Sequence, residues 1–457
     1  MSKESNNKKT YEIDMTNGSL FDKILLFSLP LIASGILQLL FNAADVVVVG
    51  RFAGSESLAA VGSTSSLTNL IVNLFIGLSL GTNVVLARFY GAGKMKEVSD
   101  TVHTSILISI IAGVMLTIIG FIASRPILTM MGTPEDVIEH SITYMRFYFA
   151  GMPVMMLYNF GSAILRTVGD TRRPLYYLTL AGAVNVVLNL IFVIFFKLGV
   201  AGVALATVIS QAISAVLVLR CIINAESAIK LDLKRLAINI TILKQIAAIG
   251  FPAGIQGAVF SISNVLIQSS VNSFGSIVMA GNTAAQNVEG FVYSSMNSVS
   301  QATVSFTGQN AGALKFDRVK KVVWESFILV SLVGLIMGLG IWKLDTVVLS
   351  FFSDSKEVVA SGAERLSVIL PAYCLCGIME VFVGGLRGLG QSFGPTVVSL
   401  LGACALRVIY IFTIFQIYHT PTVLFLSYPI SWFITATAQL IFLIIVYKRT
   451  KKAYSYQ

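Results

Sequence analysis

Long apolar runs decide most of what this chain of 457 residues can fold into. Several of them reach about 18 residues or more, enough for an α-helix to cross a hydrocarbon layer of about 30 Å. Lipid offers the backbone no hydrogen-bonding partner, so such segments must be helices or closed barrels. Only 12% of the residues are charged, against about 25% in soluble domains. We therefore predict an all-α, polytopic membrane protein with twelve spans.

Basic residues are concentrated in alternate loops. With the N-terminus inside, the inner loops hold groups such as Arg166, Arg172 and Arg173, while the outer loops hold few, among them Arg51 and Arg125. This positive-inside pattern predicts a cell-membrane protein with both termini in the cytoplasm. The basic residues behind the net charge of +10 are therefore expected to set the orientation in the membrane and to contact membrane lipid. They are not expected to bind nucleic acid.

One loop motif occurs twice. "ILRTVGDTRRP" at 164–174 and "GLRGLGQSFGP" at 385–395 share the pattern L-R-x-x-G-x-x-x-x-P. When the chain is slid against itself by 221 or 222 residues, Pro30 also meets Pro252 and Gly35 meets Gly257. Two copies with an even number of spans enter the membrane from the same side. They are therefore expected to be related by a pseudo-twofold axis along the membrane normal.

The repeat predicts a division of the chain into five parts. They are a cytoplasmic N-terminal tail (1–20), an N-lobe with spans 1–6 (21–222), a charged cytoplasmic linker (223–245), a C-lobe with spans 7–12 (246–447) and a cytoplasmic C-terminal tail (448–457). A cleft between the two lobes is expected near the middle of the membrane. Gly77 and Gly81 form a G-x-x-x-G pattern in span 2, which predicts a face that packs closely against another helix.

Four ionisable residues lie deep within predicted spans: Asp45, Glu289, Glu380 and Arg407. Burying such a group costs about 2.5–3.5 kcal/mol even on lenient insertion scales. They are not duplicated by the repeat, since Ile267 stands opposite Asp45 and a valine stands opposite Arg407. The scaffold is copied and the charges are not, which favours a functional role for them.

Asp45 ends a polar stripe on span 1. Gln38, Asn42 and Asp45 are spaced four and three residues apart, so they share one helix face, and Asn185 and Asn189 are spaced alike on span 5. If the two spans meet, a carboxyl group faces two carboxamides and can hold a proton, or Na⁺ with help from carbonyl oxygens. The alternative is an acid with a local partner that serves only helix packing.

Span 8 carries Glu289 in the strongly polar segment "NTAAQNVEGFVYSSMNSVSQ" at 282–301. So many polar groups cannot all face lipid. We therefore expect Glu289, Gln286 and Tyr293 to line the cleft between the lobes. The alternative is a single neutral glutamic acid that is hydrogen-bonded to a neighbouring helix.

Glu380 and Arg407 lie on spans 10 and 11 and are expected either to neutralise each other or to form part of a cation site in the cleft. Arg146 and Arg365 lie nearer the ends of predicted spans, where long side chains reach the interface. The charges of the cleft are therefore expected to be mostly acidic. Four cysteines and three histidines show no zinc-ligand spacing, so neither a metal nor a cofactor is expected, apart from Na⁺ at Asp45.

Three stretches, together with the doubled motif, resemble the multidrug and toxic compound extrusion (MATE) family, bacterial type. They are "SLPLIASGILQLLFNAADVVVVGRFAG" at 28–54, "GVAGVALATVISQ" at 199–211 and "FTGQNAGA" at 306–313. The resemblance covers about residues 20–447. It implies two six-helix lobes around a V-shaped cleft and export of organic cations against inward H⁺ or Na⁺. We expect the protein to be a monomer.

The resemblance also implies roles for particular residues. An acid in span 1 with a glycine five residues on takes the coupling cation, and Asp45 and Gly50 match that pattern. Thr207 resembles a hydroxyl of span 6 near the same site. The family's N-x-x-x-D in span 5 reads Asn185 to Asn189 here, so the second acid is missing. Further acids in spans 8 and 10 correspond to Glu289 and Glu380.

Three classes of function follow. In an antiporter working by alternating access, Asp45 and Glu289 bind H⁺ or Na⁺, and a small lipophilic cation then takes the vacated charge in the same region. A flippase for a lipid-linked precursor needs a cationic cleft and is disfavoured by the expected acidic one. An intramembrane enzyme or a receptor is disfavoured because no nucleophile–base set is visible.

Overall fold

The computed structural model describes residues 11–454, apart from the side chains of residues 55, 56, 58, 59, 62, 63, 65–71 and 136. Within that range the chain is almost wholly helical and contains no β-strand. The helices are α1 Phe21–Phe52, α2 Ser55–Gly91, α3 Met95–Met130, α4 Glu135–Ala150, α5 Met152–Thr167, α6 Arg172–Leu190, α7 Gly199–Ile223, α8 Ile240–Asn272, α9 Ser276–Gly312, α10 Phe316–Lys343, α11 Asp345–Ser350, α12 Lys356–Ile369, α13 Tyr373–Gly388, α14 Phe393–Ser399, α15 Leu406–Phe412, α16 Ile414–Ile417 and α17 Pro421–Tyr454. The predicted tails extend to residues 1–10 and 455–457, which lie outside the described residues.

Ten helical stretches of the described chain are long and apolar enough to cross a membrane. α4 and α5 join at a bend of 45° and together make one further span. α9 is 37 residues long but too polar to count among the apolar ones, because it carries the segment 282–301. With α9 included there are twelve crossings, and the predicted all-α fold with twelve spans is confirmed.

Three further spans contain breaks in regular α-helical geometry. Pro371 lies in a 3₁₀ turn, Leu370–Ala372, that separates α12 from α13. π-helical turns occupy Ile191–Phe195, directly after α6, and Leu400–Ala405, directly before α15. Turns of this kind widen a helix locally and occur often at functional sites. Here they follow Asn189 and precede Arg407, two of the predicted site residues.

Helices α1–α7 form the N-lobe and α8–α17 form the C-lobe, but α1 belongs to both. Its first half packs into the hydrophobic core of the C-lobe, where the rings of Phe27 and Phe306 meet edge to face at 5.6 Å. Its second half packs on α6 of the N-lobe, with the ring of Phe41 against Gly182. A movement of α1 therefore changes the packing of both lobes.

The lobes meet at the face of the bundle that carries both described chain ends, which we call the termini face. Residues 11–20 and the end of α17 both contact the start of α10 there: Arg318 donates to the carbonyl of Gly18 at 3.0 Å, and Lys451 pairs with Asp317 at 2.8 Å. Across the lobes, Ser305 donates to Asn83 at 3.0 Å and Gln309 donates to the carbonyl of Thr167 at 2.5 Å. The termini face is thus closed by hydrogen bonds between the lobes.

Close packing of α2 against α8 completes this closure. A Cβ atom added at Gly77 would lie 2.4 Å from the backbone nitrogen of Gly254, and one at Gly81 would lie 2.3 Å from the carbonyl oxygen of Ile246. Only glycine permits the two backbones to approach this far. The close-packing face predicted for span 2 is therefore the surface on which the lobes meet.

Gly81→Ala is expected to push α2 and α8 apart and so open the termini face. The added methyl group meets backbone atoms, which cannot yield as a flexible side chain can. We expect lower yields of the disulfide between Asn83→Cys and Ser305→Cys, measured in a chain whose four native cysteines are replaced by alanine. Gly340→Ala is the matched control, since nothing lies within 4 Å of its Cβ position. Equal yields for the two variants would contradict the prediction.

Candidate functional site

The N-lobe brings together the carboxyl of Asp45 on α1 and the two asparagines of α6. Asn189 donates its amide to Asp45 and also to Asn185, the latter at 3.2 Å. Asn185 in turn donates to the hydroxyl of Thr207 on α7 at 3.3 Å. Asp45, Asn185, Asn189 and Thr207, all predicted as one site, form one hydrogen-bonded cluster, which we call the Asp45 cluster.

Asn189 is the buried centre of the Asp45 cluster, with none of its surface exposed. Its amide nitrogen has two acceptors, but its amide oxygen accepts no hydrogen bond from any described residue. Leaving such an acceptor unpaired costs about 1–3 kcal/mol. Asp45 itself has no basic partner among the described residues, and it is only half-buried. The cluster therefore offers a carboxylate that has no basic partner and an amide oxygen that accepts no hydrogen bond, both within the described part of the chain.

Gln38 and Asn42 lie on α1 before Asp45, and both side chains are exposed. Neither is hydrogen-bonded to the Asp45 cluster. The shared face that their spacing predicts is present, but the structure does not bring these two residues into the cluster.

A second feature is a cavity of about 1020 Å³, which is lined mainly by C-lobe residues. Asn73 of α2 and Met131, which follows α3, are the N-lobe residues in its wall. The cavity is lined by the residues that the sequence analysis expected in a cleft between the lobes, Glu289, Gln286, Tyr293, Glu380 and Arg407, together with Arg365, Tyr373, Tyr428 and Trp432. Asp45 is not among its lining residues. The two candidate sites are therefore separate, where the sequence predicted a single region that serves both cations.

Glu289 is held by a basic residue. Arg365 of α12 donates from Nε and Nη2 to the two carboxylate oxygens at 2.8 and 2.9 Å, and from Nη1 to Asn282 at 2.8 Å. Only 2% of Arg365 is exposed. The prediction that Arg365 reaches the membrane interface is wrong, because this bidentate pair gives the buried guanidinium a better partner than headgroups would. Arg146, by contrast, is exposed and lies over the ring of Phe121.

Glu380 and Arg407 do not form the predicted ion pair. Arg407 donates from Nε to Ser431 at 2.7 Å, and its guanidinium lies over the rings of Tyr428 at 4.3 Å and Trp432 at 5.6 Å. The basic group that acts on Glu380 is Arg387, two helical turns further along α13. The wall of the cavity thus holds two acids and two arginines, so the expectation of a mostly acidic cleft is also wrong.

The sequence reasoning missed Arg365 and the aromatic residues that α17 contributes to the cavity wall, Tyr428 and Trp432. One signal could have indicated Arg365. It lies nine residues into α12, which starts at Lys356. At 1.5 Å per residue this is a depth of about 13 Å, too far for a side chain to reach the helix end. The aromatic residues had no comparable signal, because aromatic residues in a span are ordinary core or lipid-facing residues.

Two repeated bundles of membrane-spanning helices that meet at one face and enclose a polar cavity define a membrane transporter. The family model MatE matches residues 30–191 and again 252–413, so the two matches begin 222 residues apart, as the repeat predicts. The chain belongs to the MatE family of transporters, which confirms the predicted resemblance, and it is not an enzyme.

Similar proteins agree with this assignment. The chain is 30% identical over 397 residues to the probable multidrug resistance protein YoeA of Bacillus subtilis, which covers 85% of this chain and 86% of that protein. It is 27% identical to a FAD transporter of Shewanella oneidensis, over 82% of this chain and 84% of that one. Its fold matches a MOP superfamily transporter from Pyrococcus furiosus with a TM-score of 0.91 at 23% identity, over 97% and 99% of the two chains.

Proposed function

We propose that the protein is a secondary antiporter of the cell membrane that exports small lipophilic organic compounds in exchange for H⁺ or Na⁺. The observation that carries the proposal is the Asp45 cluster. A carboxyl group without a basic partner lies there beside an amide oxygen that accepts no hydrogen bond from a described residue. Membrane proteins keep such groups where an ion has to bind.

Either coupling ion meets the needs of this cluster. A proton on Asp45 turns the carboxyl group into a hydrogen-bond donor, which can donate to the amide oxygen of Asn189 after a small rotation. A sodium ion instead draws on oxygen atoms of Asp45, Asn189 and Thr207, since hard cations are bound through oxygen. Asn189 stands where the family's span 5 pattern has an acid, so the ligands other than Asp45 are neutral oxygen atoms. The single negative charge of Asp45 therefore holds either ion.

The two separate sites require coupling through a conformational change, and α1 can provide it. Its second half carries Asp45, while its first half packs in the core of the C-lobe through Phe27. Ion binding that shifts α1 on α6 therefore changes how the lobes meet. A ligand can shift such an equilibrium only by its difference in affinity for the two states. In this scheme the ion binds one state more tightly and the exported compound binds the other.

The charge pattern of the loops assigns the termini face to the cytoplasm. That face is closed by the glycine contacts between α2 and α8, while the cavity lies towards the opposite ends of the helices, near Met131 and Gln268. We therefore propose that the structure shows the state open to the outside. In this state Asp45 loads the coupling ion and the cavity releases its cargo.

The lipophilic cargo is proposed from the cavity wall and from relatives named as multidrug resistance proteins. Aromatic residues of α17 and Tyr293 supply flat apolar surfaces, and Glu380 supplies a negative charge. The flippase alternative stays a prediction. The main argument against a flippase was the expectation of an acidic cleft. The two arginines in the cavity wall remove that argument. A flippase would move lipid between vesicle leaflets without an ion gradient.

Uptake into proteoliposomes tests the proposal. Purified protein is reconstituted, and uptake of a fluorescent lipophilic cation is measured under a pH gradient alone, a Na⁺ gradient alone, or neither. We expect uptake to depend on one of the two gradients and to collapse when that gradient is dissipated. Scrambling of a fluorescent lipid with no gradient, and no uptake of the cation, would instead support a flippase.

A further inference from the structure

The four charged residues in the wall of the cavity are not equivalent. Glu289 and Arg365 neutralise each other through two hydrogen bonds. Glu380 forms no ion pair with a described residue, and Arg387, the basic group that acts on it, lies outside the cavity wall and donates to Gln256 at 3.0 Å. Arg407 forms no ion pair with a described residue, and its hydrogen bond runs to the hydroxyl of Ser431. Within the part of the chain that the structure describes, Arg407 therefore lines the cavity without an acidic partner.

The guanidinium of Arg407 is fixed and has donors to spare. Nε is bonded to Ser431, and the plane of the group rests over two aromatic rings. The terminal nitrogens make no hydrogen bond with any described residue, although the residue lines the cavity. A guanidinium has five N–H donors in a planar fork that fits a carboxylate. Here the edge of the fork that faces away from Ser431 is available to a ligand.

The aromatic faces around Arg407 argue against a cation at this point of the wall. The ring of Tyr428 already lies under Arg407 at 4.3 Å and under Arg365 at 5.1 Å. An incoming ammonium group would have to displace a guanidinium from the ring and would then face its positive charge. An acidic group on the ligand meets neither obstacle.

We propose that Arg407 is an anion-binding subsite of the cavity, which takes the carboxylate of an amphiphilic aromatic compound, with Glu380 on the same cavity wall available to a basic group of that compound. A single guanidinium fits the single charge of a carboxylate better than the double charge of a phosphate monoester. This inference rests on the proposed export function.

Binding of two matched dyes tests the subsite. Rhodamine B carries a free carboxylate, and its ethyl ester has the same flat cationic ring system without it. Fluorescence anisotropy with the full-length protein in dodecyl maltoside gives the Kd of each. We expect Arg407→Gln to weaken binding of the acid at least about tenfold, or about 1.4 kcal/mol, and to change the ester by less than about twofold.

Two further variants separate the subsite from a structural effect. Arg407→Lys keeps the charge and should retain part of the preference for the acid. Arg146→Gln is the matched control, since Arg146 is exposed and lies outside the cavity wall, and it should change neither dye. Equal weakening of both dyes, or an unchanged Kd for the acid, would overturn the subsite. If the unaltered protein binds the ester but not the acid, the subsite alone is overturned. If it binds neither dye, the proposed cargo is contradicted as well.

A separate set of contacts supports a second inference. Residues 11–20, which we call the strap, cross the termini face from one lobe to the other. On the N-lobe side the backbone of Ile13 packs against Gly169 in the first copy of the doubled motif, and Arg173 lies over the ring of Tyr11 at 5.2 Å. Gly169 has φ of +88°, and a Cβ there would lie 2.4 Å from the nitrogen of Ile13.

On the C-lobe side the backbone carbonyls of the strap accept hydrogen bonds from the end of α9 and the start of α10. Asn310 donates to Met15 at 3.0 Å, Lys315 donates to Thr16 at 3.0 Å, and Arg318 donates to Gly18 at 3.0 Å. The side chain of Met15 is completely buried in the C-lobe core. The turn that follows is fixed by Asp14: burial raises its pKa, but hydrogen bonds from Asn17 and Thr16 outweigh burial and lower the pKa to about 2.

We infer that the strap is a latch that holds the termini face closed and has to release when the lobes separate there. Met15→Ala removes its buried anchor, and this variant should shift the protein towards the state open at the termini face. The readout is labelling by a charged maleimide of a cysteine at Gln309, whose side chain is buried between the lobes. We expect labelling to be several-fold faster than in the parent chain.

Met130→Ala is the matched control for the latch, because Met130 is 87% exposed at the opposite end of the bundle. A cysteine at Gln268, which lines the cavity, reports on that end and should be labelled more slowly in Met15→Ala. Unchanged labelling at both positions would overturn the latch. Faster labelling at both would also overturn it, since that pattern means general loosening of the fold.

Discussion

Asp45→Asn is expected to reduce gradient-driven export to the level of empty vesicles while leaving the protein folded. The asparagine still offers an oxygen to the amide of Asn189, so the hydrogen bond that orders the Asp45 cluster is retained. It carries no charge, so neither a proton nor a sodium ion can be bound and released. The measurement is uptake of a fluorescent cation into proteoliposomes under the gradient that drives the parent protein.

Asp22→Asn is the matched control, because Asp22 is an exposed acid on the same helix and its contact is the hydroxyl of Ser19. It should transport at the parental rate. Binding of the cargo in detergent should persist in Asp45→Asn, because the cavity lies elsewhere. Full export by Asp45→Asn would remove this residue from the coupling mechanism.

Arg365→Ala is expected to lower the free energy of unfolding by about 3–5 kcal/mol, the usual cost of leaving one member of a buried ion pair without its partner. Glu289 would lose both hydrogen bonds to its carboxylate, and Asn282 would lose its donor. The measurement is the thermal unfolding midpoint of the purified protein in detergent. Arg146→Ala, which removes an exposed arginine, is the control.

The double variant Glu289→Gln, Arg365→Met should recover most of that loss, because a neutral pair of similar volume leaves no charge uncompensated. It also separates two roles for Glu289. If the pair serves only to build the cavity, the double variant keeps gradient-driven uptake, and this is the result we expect. A stable double variant without uptake would restore Glu289 to the coupling mechanism.

Some of the site follows from the sequence because it depends on local spacing. Asn185 and Asn189 are four residues apart, so any α-helix places them on one face. Asp45 stands alone as an acid in its span, and few other groups can meet it within the same lobe. The contact between Asp45 and Asn189 could therefore be predicted from two helix periods and the neighbourhood of spans 1 and 5.

Partnerships within the cavity could not be predicted in this way. Glu289 and Arg365 are 76 residues apart and meet only because α9 packs on α12 with one particular rotation of each helix. A single residue's change in register turns a helix by about 100°, so hydropathy cannot decide which partner an acid faces. The pairing of Glu380 with Arg407, predicted from neighbouring spans, failed for this reason.

The sequence by itself determined the twelve-span helical architecture, its duplication and the identity of the acid in span 1, because lipid forces helices and because short spacings fix helix faces. The tertiary structure alone decided that Glu289 is neutralised, that Arg407 is left with donors in the cavity, and that the Asp45 cluster and the cavity are separate. These outcomes depend on how helices far apart in the chain rotate and pack, which no local pattern records.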